Sequence, residues 1–440
     1  MPHVCFIPMS GLRVRENELL ELGMTLPGLV KRANALAELP ALGLITLAGM
    51  NPPGWTSSYH SNTSDIDSLI EDVMRHRPHL VAVSALTASV LDAYKLSQEF
   101  RKQSVPTVLG GLHATACPTE AAQYFDAVVV GDGESSWPKV LHDCEAGQLD
   151  SIYRPTAPFS LRNAPPPRFD LLGGKPQRRY TMQTSRGCPF DCDFCGASRL
   201  LGNFREKPID RIEAEIDAIC RFEKRPWVEL ADDNSFVSRN HSIQLLDRLS
   251  ESPIRYFTEA DWRIGERPEV LDRLARSGCM QVLVGIESLV FRYPGMGAKR
   301  AELDRIMNSI DAIQDAGVVV NGCFIIGANG ETTESLDRLI EFVLSSSLAE
   351  VQITIETPFP GTELFRKMKA SDRLLRDRDW SHYTLFDVVF QPDQMSVADL
   401  EEGFRRVLSE VFSESASDSR NEIRSAIWRN HPKIRTASLG

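Results

Sequence analysis

Two stretches of this 440-residue chain repeat one rhythm, a short run of Val, Ile, Leu and Ala followed by an amphipathic helical segment, and a proline-rich stretch lies between them. Apolar runs without strict alternation belong to strands buried on both faces, and a helix between successive strands brings the chain back to pair in parallel. The first stretch predicts strands over residues 4–7, 80–86, 106–110 and 127–130, with helices over 65–75, 89–102 and 138–145. The expected fold class is α/β, with residues 1–150 forming a doubly wound, Rossmann-like domain. Ligands of such sheets lie beyond the carboxyl ends of the strands. Small residues gather at those ends here: Ser84, the pair Gly110 and Gly111, and Gly131 and Gly133 around Asp132. Any one of them can serve a tight turn; their recurrence after three successive strands marks a ligand edge.

Pro155, Pro158, Pro165, Pro166, Pro167 and Pro176, with the pair Gly173 and Gly174, make residues 151–178 an expected extended linker. The rhythm then resumes over 179–370, with strands expected at 180–184, 227–230, 256–259, 282–286, 318–326 and 351–355 and helices at 209–222, 242–250, 303–316 and 335–344. Six such units make a partial (β/α)6 TIM-like barrel, whose active face is again the carboxyl end of its strands. Residues 371–440 form a C-terminal helical cap and tail. There Ser396, with Asp399 three residues on, resembles a capping box ahead of the apolar positions Val397, Leu400, Phe404, Val407, Leu408 and Val411. The polar sequence after Phe412 is expected to be partly disordered. Trp380, His382, Tyr383 and Phe386 are candidates to touch a substrate, although aromatics in a lid more often pack it in place.

A formal net charge of −11 disfavours a broad nucleic-acid surface. No apolar window reaches the roughly 18 residues of a membrane span, and the start carries no basic segment followed by a long apolar run, so the expectation is a cytoplasmic protein. Of the nine cysteines, Cys5, Cys117, Cys144, Cys220, Cys279 and Cys323 are scattered singly through core-like segments, the pattern of reduced thiols packed as small hydrophobes.

The other three share one loop after the first barrel strand, Gly187-Cys188-Pro189-Phe190-Asp191-Cys192-Asp193-Phe194-Cys195-Gly196. Such a loop can turn three thiolates toward one centre. A closed structural zinc site takes four ligands, so zinc would need a distant His or Cys. A [4Fe-4S] cluster on three thiolates leaves one iron open to another ligand. C-x3-C-x2-C with an aromatic residue before the last Cys resembles the signature of the radical S-adenosylmethionine superfamily. The resemblance implies that Cys188, Cys192 and Cys195 hold a [4Fe-4S] cluster and that S-adenosyl-L-methionine chelates the open iron, with Phe194 near its adenine. It further implies that an external one-electron donor, of flavodoxin or ferredoxin type, triggers release of a 5′-deoxyadenosyl radical.

Later strand ends look like the same family's supporting motifs. Asp232 and Asp233, followed by Asn234, stand where many relatives carry a Gly-Gly-Glu turn that binds the methionine amine; the alternative is a capped surface turn. Glu287 and Ser288, in Gly285-Ile286-Glu287-Ser288, resemble the turn that approaches the ribose or methionine, the alternative for Glu287 being a solvated loop carboxylate. Gly327, and less directly Glu331, fall in the fifth-strand motif beside adenine. The segment Thr357-Pro358-Phe359-Pro360-Gly361-Thr362 after the sixth strand shapes the cavity or simply starts the next helix.

A doubly wound domain ahead of such a core is similar to the cobalamin (B12)-binding-domain subgroup, over roughly residues 38–415. The matching segments run from Leu39 to Leu44, through Ser84-Ala85-Leu86-Thr87 and Gly110 to Thr115, to Val130-Gly131-Asp132-Gly133-Glu134. They imply cobalamin contacts at Ser84, Leu86, Thr87, Gly110, Gly111, His113, Gly131, Gly133 and Glu134. The D-x-H-x-x-G loop whose His ligates cobalt is missing from the sequence, and a lone His after a glycine pair is more often a loop hydrogen-bond partner than a ligand. Cobalamin would therefore bind with no His beneath the metal; a domain that kept this fold and lost the ligand is the competing reading. Together the resemblances imply a cobalamin-dependent radical S-adenosylmethionine methyltransferase acting on an unactivated carbon of a small molecule. A radical cyclase, rearrangement or oxidation enzyme without methyl transfer is the second reading, and a non-catalytic zinc or redox cysteine module the third.

Overall fold

Strands rich in Val, Ile and Leu line up into two parallel sheets, each wrapped by the helices that connect its strands. The computed structural model describes residues 1–9, 39–61, 65–173, 177–429 and 431–435; of the expected linker, Gly174 and Pro176 lie outside them. The first sheet contains β1 (His3–Met9), β2 (Thr56–Tyr59), β3 (Leu80–Ala85), β4 (Thr107–Gly110), β5 (Ala127–Val129) and β6 (Ile152–Tyr153). Their spatial order is β2-β1-β3-β4-β5-β6 with every pair parallel, so the winding reverses between β1 and β3 and the crevice opens at their carboxyl ends. Helices Ile66–Arg75 and Val90–Lys102 match the sequence expectation, while Gly133–Glu145 starts before Pro138 and takes it in. β2 reads Thr-Ser-Ser-Tyr, a polar edge strand with no apolar run to betray it.

The linker expectation needs correction. β6 extends the first sheet into it, Leu161 and Phe169 are buried, and the Arg168 N–H donates to the Ile45 carbonyl. Proline removes ladder donors without preventing burial, so this stretch packs as irregular structure between the domains.

The second sheet holds β7 (Tyr180–Met182), β10 (Trp227–Leu230), β11 (Arg255–Glu259), β12 (Cys279–Glu287), β13 (Val319–Ile326) and β14 (Glu350–Ile355), side by side in that order. All pairs are parallel and β14 does not pair with β7, which is the expected partial barrel. A two-residue hairpin, β8 (Ser185–Arg186) against β9 (Arg205–Glu206), brackets the cysteine loop.

The cap helix Val397–Val411 starts at the reciprocal capping box of Ser396 and Asp399. It lies on helix Thr333–Ser345, where a Cβ on Gly403 would stand 2.4 Å from Leu336. The disorder expected after Phe412 is replaced by a helix, Glu414–Arg429. Only Ala416 and Arg420 of it are buried; its anchors are polar. Arg424 pairs with Glu350, Trp428 Nε1 donates to the Met280 carbonyl at 3.1 Å, and His431 Nε2 meets the Cys279 carbonyl at 2.9 Å. Lys433 Nζ donates to the carbonyls of Leu249, Ser252, Ile254 and Ser277. Met280, Cys279 and Glu350 begin β12 and β14, so the tail closes the barrel floor opposite the active face. Polar anchors leave no apolar period, which is why the sequence hid this helix.

The cap aromatics pack. Trp380 and Tyr383 are buried in the first domain's core, and Trp380 Nε1 donates to Glu120 at 2.7 Å. His382 pairs with Asp379, and Phe386 stacks on Phe404.

A second junction is ionic. Arg186 on β8 meets Glu134 through two nitrogens, at 2.7 and 3.2 Å, and Asp132 at 2.7 Å; Arg205 on β9 also meets Asp132 at 2.7 Å. All four side chains are largely buried, between 6% and 17% exposed. Burial opposes ionisation of Asp132, yet the two guanidiniums and the Phe159 N–H hold it below the ordinary carboxylate range. Removing one partner of such a set strands the others as uncompensated charges. Arg186→Ala should therefore cost about 3–5 kcal/mol in urea unfolding, whereas Arg168→Ala, which removes an exposed pair with Asp170, should cost under about 1 kcal/mol.

Candidate functional site

Asp232, just beyond β10, fixes the root of the cysteine loop. Its carboxylate accepts from the N–H groups of Thr184 (2.7 Å) and Ser185 (3.0 Å) and from the hydroxyls of Thr184 and Ser235. Asp233 accepts from the Gly187 N–H at 2.9 Å. Gly187 has φ +78°, and a Cβ there would lie 2.7 Å from the Gly202 carbonyl oxygen, so the turn into Cys188 requires glycine. Cys188 Sγ accepts from Asn234 Nδ2 at 3.7 Å. Cys195 is the N-cap of the short helix Gly196–Leu200, its Sγ accepting from the Ser198 N–H at 3.5 Å. The 291–297 segment lies on the loop: the N–H groups of Asp191 and Asp193 donate to the carbonyls of Gly295 and Pro294. A Cβ on Gly295 would come within 1.8 Å of the Asp191 carbonyl oxygen. Phe194 packs against Tyr293 at 4.6 Å, and Tyr293 meets Phe291.

Burial pushes the Cys192 thiol up to about 12 and raises Cys188 too, so a metal centre must displace their protons. Lys299 helps: burial works against its charge, but Glu287, Asp261 and the Cys192 and Cys188 sulfurs raise its pKa. Three sulfurs, two of them receiving N–H donors, beside a cation are a donor set that fits an anionic iron–sulfur centre.

At the end of β12 the pairing slips between Gly285 and Glu287, and Glu287 takes φ +71°, rare for a side chain of this size. Its carboxylate folds back over Gly285, where a Cβ would stand 2.1 Å from Oε1. The Gly-Ile-Glu motif is thus a bulge that aims a carboxylate. Burial raises the Glu287 pKa against the pull of Lys299. Ser288 Oγ donates to Glu331 Oε1 at 2.5 Å, and Glu331 Oε2 accepts from the Gly327 N–H at 2.7 Å, tying the ends of β12 and β13 together. A Cβ on Gly327 would meet Leu400 at 2.9 Å and Phe390 at 3.0 Å, so the cap closes over it. Of the nucleotide contacts expected from sequence, Asp232, Ser288, Gly327 and Glu331 hold the strand ends. Asp233 accepts from the Gly187 N–H with one oxygen, and its other oxygen, the Glu287 carboxylate and the face of Phe194 turned from Tyr293 are the groups left for a ligand.

In the first domain, Ser84 is paired beside Gly110, Leu86 is 44% exposed, and a Cβ on Gly111 would stand 3.1 Å from Ser84 Oγ. These four residues lie together at the carboxyl ends of β3 and β4. The other expected corrinoid contacts serve the fold. His113 is fully buried, with Nδ1 3.3 Å from the Thr87 hydroxyl and Nε2 3.4 Å from that of Tyr94, and its ring meets Trp380 edge-on at 5.3 Å. The Gly131 N–H donates to Thr115 Oγ1, Gly133 lies against Leu47, and Glu134 holds Arg186.

Sequence reasoning missed three charged residues. Glu356 follows β14; its Oε2 has no hydrogen-bond partner among the described residues, and burial pushes its pKa up to about 8. The Tyr293 hydroxyl beside it makes no well-formed bond. Glu259 ends β11 with an exposed side chain, yet protein burial first and the Asp233 charge second push it to about 8. Both carboxyls sit at carboxyl ends of barrel strands, a position that could have flagged them. Lys299 is brought in by tertiary contact and carries no sequence signal.

The family model described as Radical SAM superfamily matches residues 182–343, and that described as B12 binding domain matches residues 28–141. The chain is 26% identical to bacteriochlorophyllide d C-12(1)-methyltransferase of Chlorobaculum tepidum, over 79% of this chain and 78% of that protein. It is 22% identical to the anaerobic magnesium-protoporphyrin IX monomethyl ester cyclase of Rubrivivax gelatinosus, over 80% and 72%. Among solved structures it is similar in fold to the radical S-adenosylmethionine methyltransferase TsrM of Kitasatospora setae with cobalamin and a [4Fe-4S] cluster bound. The TM-score is 0.68 at 14% identity, covering 98% of this chain and 100% of that one.

Gly295→Ala should force the 291–297 segment off the cysteine loop at a cost of about 1–3 kcal/mol, and iron bound per chain after anaerobic reconstitution should fall with it. Glu356 holds its proton in the fold up to about 8 against an ordinary value of 4.5. Stability of the cofactor-free protein should therefore decline as pH rises through that window and level off above it. Thermal midpoints at stepped pH should show a shallower decline for Glu356→Gln; an unchanged slope would count against the assignment.

Proposed function

The chain belongs to the radical S-adenosylmethionine superfamily, with a B12-binding domain ahead of the barrel, and we propose that it is a cobalamin-dependent methyltransferase acting on an unactivated carbon of a small molecule. The observation that carries this reading is the junction of the two sheets' carboxyl edges: Asp132 and Glu134, in the turn after β5, are ion-paired to Arg186, two positions before Cys188 begins the cysteine loop. When bound, the cluster with S-adenosyl-L-methionine supplies a 5′-deoxyadenosyl radical that takes a hydrogen atom, and the corrinoid supplies the methyl group that replaces it.

The chain's own residues then have these parts. Cys188, Cys192 and Cys195 hold the cluster. Phe194, backed by Tyr293 and Phe291, shields it from water. Asp233 and Glu287 accept from the ammonium and hydroxyl groups of S-adenosyl-L-methionine, and Lys299 tempers the burial that raises the Glu287 pKa and offsets the negative charge of the thiolates. Ser84, Leu86, Gly110 and Gly111 border the corrinoid. Glu259 and Glu356, protonated at neutral pH, offer O–H donors without adding charge, which suits carbonyl or hydroxyl acceptors on a neutral substrate. We place the reaction in the cytoplasm with a flavodoxin- or ferredoxin-type donor; among the described residues no helix is long and apolar enough to cross a membrane.

The second reading, radical oxidation or cyclisation without methyl transfer, is favoured by the likeness to the cyclase of Rubrivivax gelatinosus. Protein purified without oxygen should carry about four iron atoms and one cobalamin per chain. Cys192→Ala should abolish 5′-deoxyadenosine formation by the reduced protein while cobalamin stays bound, and undiminished formation would refute the cluster assignment. With S-adenosyl-L-methionine labelled in its methyl carbon, label in the product supports methylation; unlabelled product formed with stoichiometric 5′-deoxyadenosine selects the second reading.

A further inference from the structure

Away from both ligand edges, four histidines, His3, His60, His76 and His79, meet along the edge of the first sheet that ends in β2. His60 comes directly after β2, is only 5% exposed, and donates its N–H to the Phe6 carbonyl. Asp72 stands in helix Ile66–Arg75 and His76 is its C-cap, four residues on and therefore on the same face. His60 Nδ1 is 2.7 Å from Asp72 Oδ2, and one ligand atom from each of His60, Asp72 and His76 lies within 4.8 Å of the others. The His60 and His76 rings meet edge-on at 5.0 Å, and His76 stacks on His3 at 5.4 Å. Ser58 Oγ is 2.7 Å from His60 Nε2 and 2.9 Å from His3 Nε2, and His3 Nδ1 is 2.7 Å from Thr56 Oγ1. His79 Nδ1 accepts from the His3 N–H at 3.3 Å.

We propose that His60, Asp72 and His76 bind one divalent transition-metal ion of the zinc class, at a site separate from the cysteine loop. Two imidazoles and a carboxylate suit zinc and its neighbours rather than magnesium or calcium, which take oxygen ligands. A helix supplying two ligands four residues apart and a strand end supplying the third give three protein ligands, and water completes four-coordination. As the ion takes the place between Nδ1 and Asp72, the single ring proton of neutral His60 moves from Nδ1 to Nε2 by exchange with solvent, with no net proton released, and is donated there to Ser58 Oγ, the outer hydrogen bond that orients a metal-bound imidazole. Burial keeps the ring in its neutral, ligating form: it lowers the pKa of His60, and takes that of His3 to about 4 with help from the neighbouring histidines. Among the described residues no hydrogen bond occupies the His76 ring nitrogens. The facing charge is Arg75, exposed and 3.6 Å from Asp72. Cys5, 3.3 Å from Ser58 Oγ, is held protonated by burial at about 11 and stays outside the ligand set. The bound ion would fasten the edge strand β2 to the next helix in the chain, covering an edge that lacks an apolar face of its own.

The test uses protein already loaded with its iron–sulfur cluster, so that the cysteines are occupied. It is equilibrated with zinc chloride, freed of loose metal by gel filtration, and its zinc and iron are counted by mass spectrometry. One zinc per chain, a raised thermal midpoint, and a zinc-edge X-ray absorption spectrum with only nitrogen and oxygen near about 2.0 Å are expected. His76→Ala removes an exposed ring at a helix end and should lose both the zinc and the thermal shift while keeping its iron. Asp72→Asn should weaken zinc binding at least about tenfold. Three results would overturn the proposal: no zinc retained by the wild type, zinc retained equally by His76→Ala, or a sulfur shell near about 2.3 Å.

Discussion

The Arg186 guanidinium, two positions before Cys188, is pressed between Asp132 and Glu134 of the other domain, with Arg205 closing the set from the facing strand. A buried ion cluster is weak evidence for stability, because desolvation offsets most of its Coulomb energy. Its value here is geometric. The planar guanidinium fork accepts only one arrangement of two carboxylates, and that arrangement fixes the turn after β5 relative to the hairpin that brackets the cysteine loop. Radical transfer between a cluster-bound nucleotide, a substrate carbon and a corrinoid tolerates little misplacement. The mouth of one sheet is therefore held against the mouth of the other by a contact whose angles, rather than its strength, carry the function. The cap adds a second, apolar stitch where Trp380 and Tyr383 enter the first domain's core.

At the carboxyl ends of the barrel strands, acidic residues of one chemical type have diverged into two kinds. Asp232 and Glu331 face backbone N–H groups and hydroxyls, accept several hydrogen bonds, and hold turns in place. Glu259, Glu287 and Glu356 stand at neighbouring strand ends with fewer such donors, and burial raises all three pKa values, as it does that of Glu331 in spite of its bonds. Whether a carboxyl becomes a fastening or stays open to something else depends on the donors within reach, which lower the cost of burying its charged form only in part, as Glu331 shows. Lys299 makes the intermediate case, tempering Glu287 and the cysteine sulfurs together.

The far ends of the two sheets show that closure need not be apolar. The barrel floor is sealed by Trp428, His431 and Lys433 donating to backbone carbonyls, and the outer edge of the first sheet is filled by a column of imidazoles on Ser and Thr hydroxyls. Both satisfy polar groups that strand ends and edges leave open, and neither leaves a periodic apolar pattern.

By itself the sequence determined the two parallel sheets, the six-strand partial barrel, the capping box at Ser396 and the cysteine loop. Each of these is written in local chemistry: apolar runs of strand length, helical periods between them, and thiol spacing within a single turn. It left unseen the polar edge strand β2, the burial of the proline-rich connection and the tail helix Glu414–Arg429, whose anchors are dispersed side chains meeting distant carbonyls. At the site, spacing singled out Cys188, Cys192 and Cys195 and a family resemblance pointed to Glu287, but neither could separate Asp233 from Asp232 or foresee that Glu134 and His113 are taken up by Arg186, Thr87 and Trp380. Those roles, with Lys299 beside the sulfurs and Asp72 beside His60, were decided by tertiary structure alone. A hydrogen bond or ion pair between residues far apart in the chain depends on where the fold places them, and no local pattern encodes that distance.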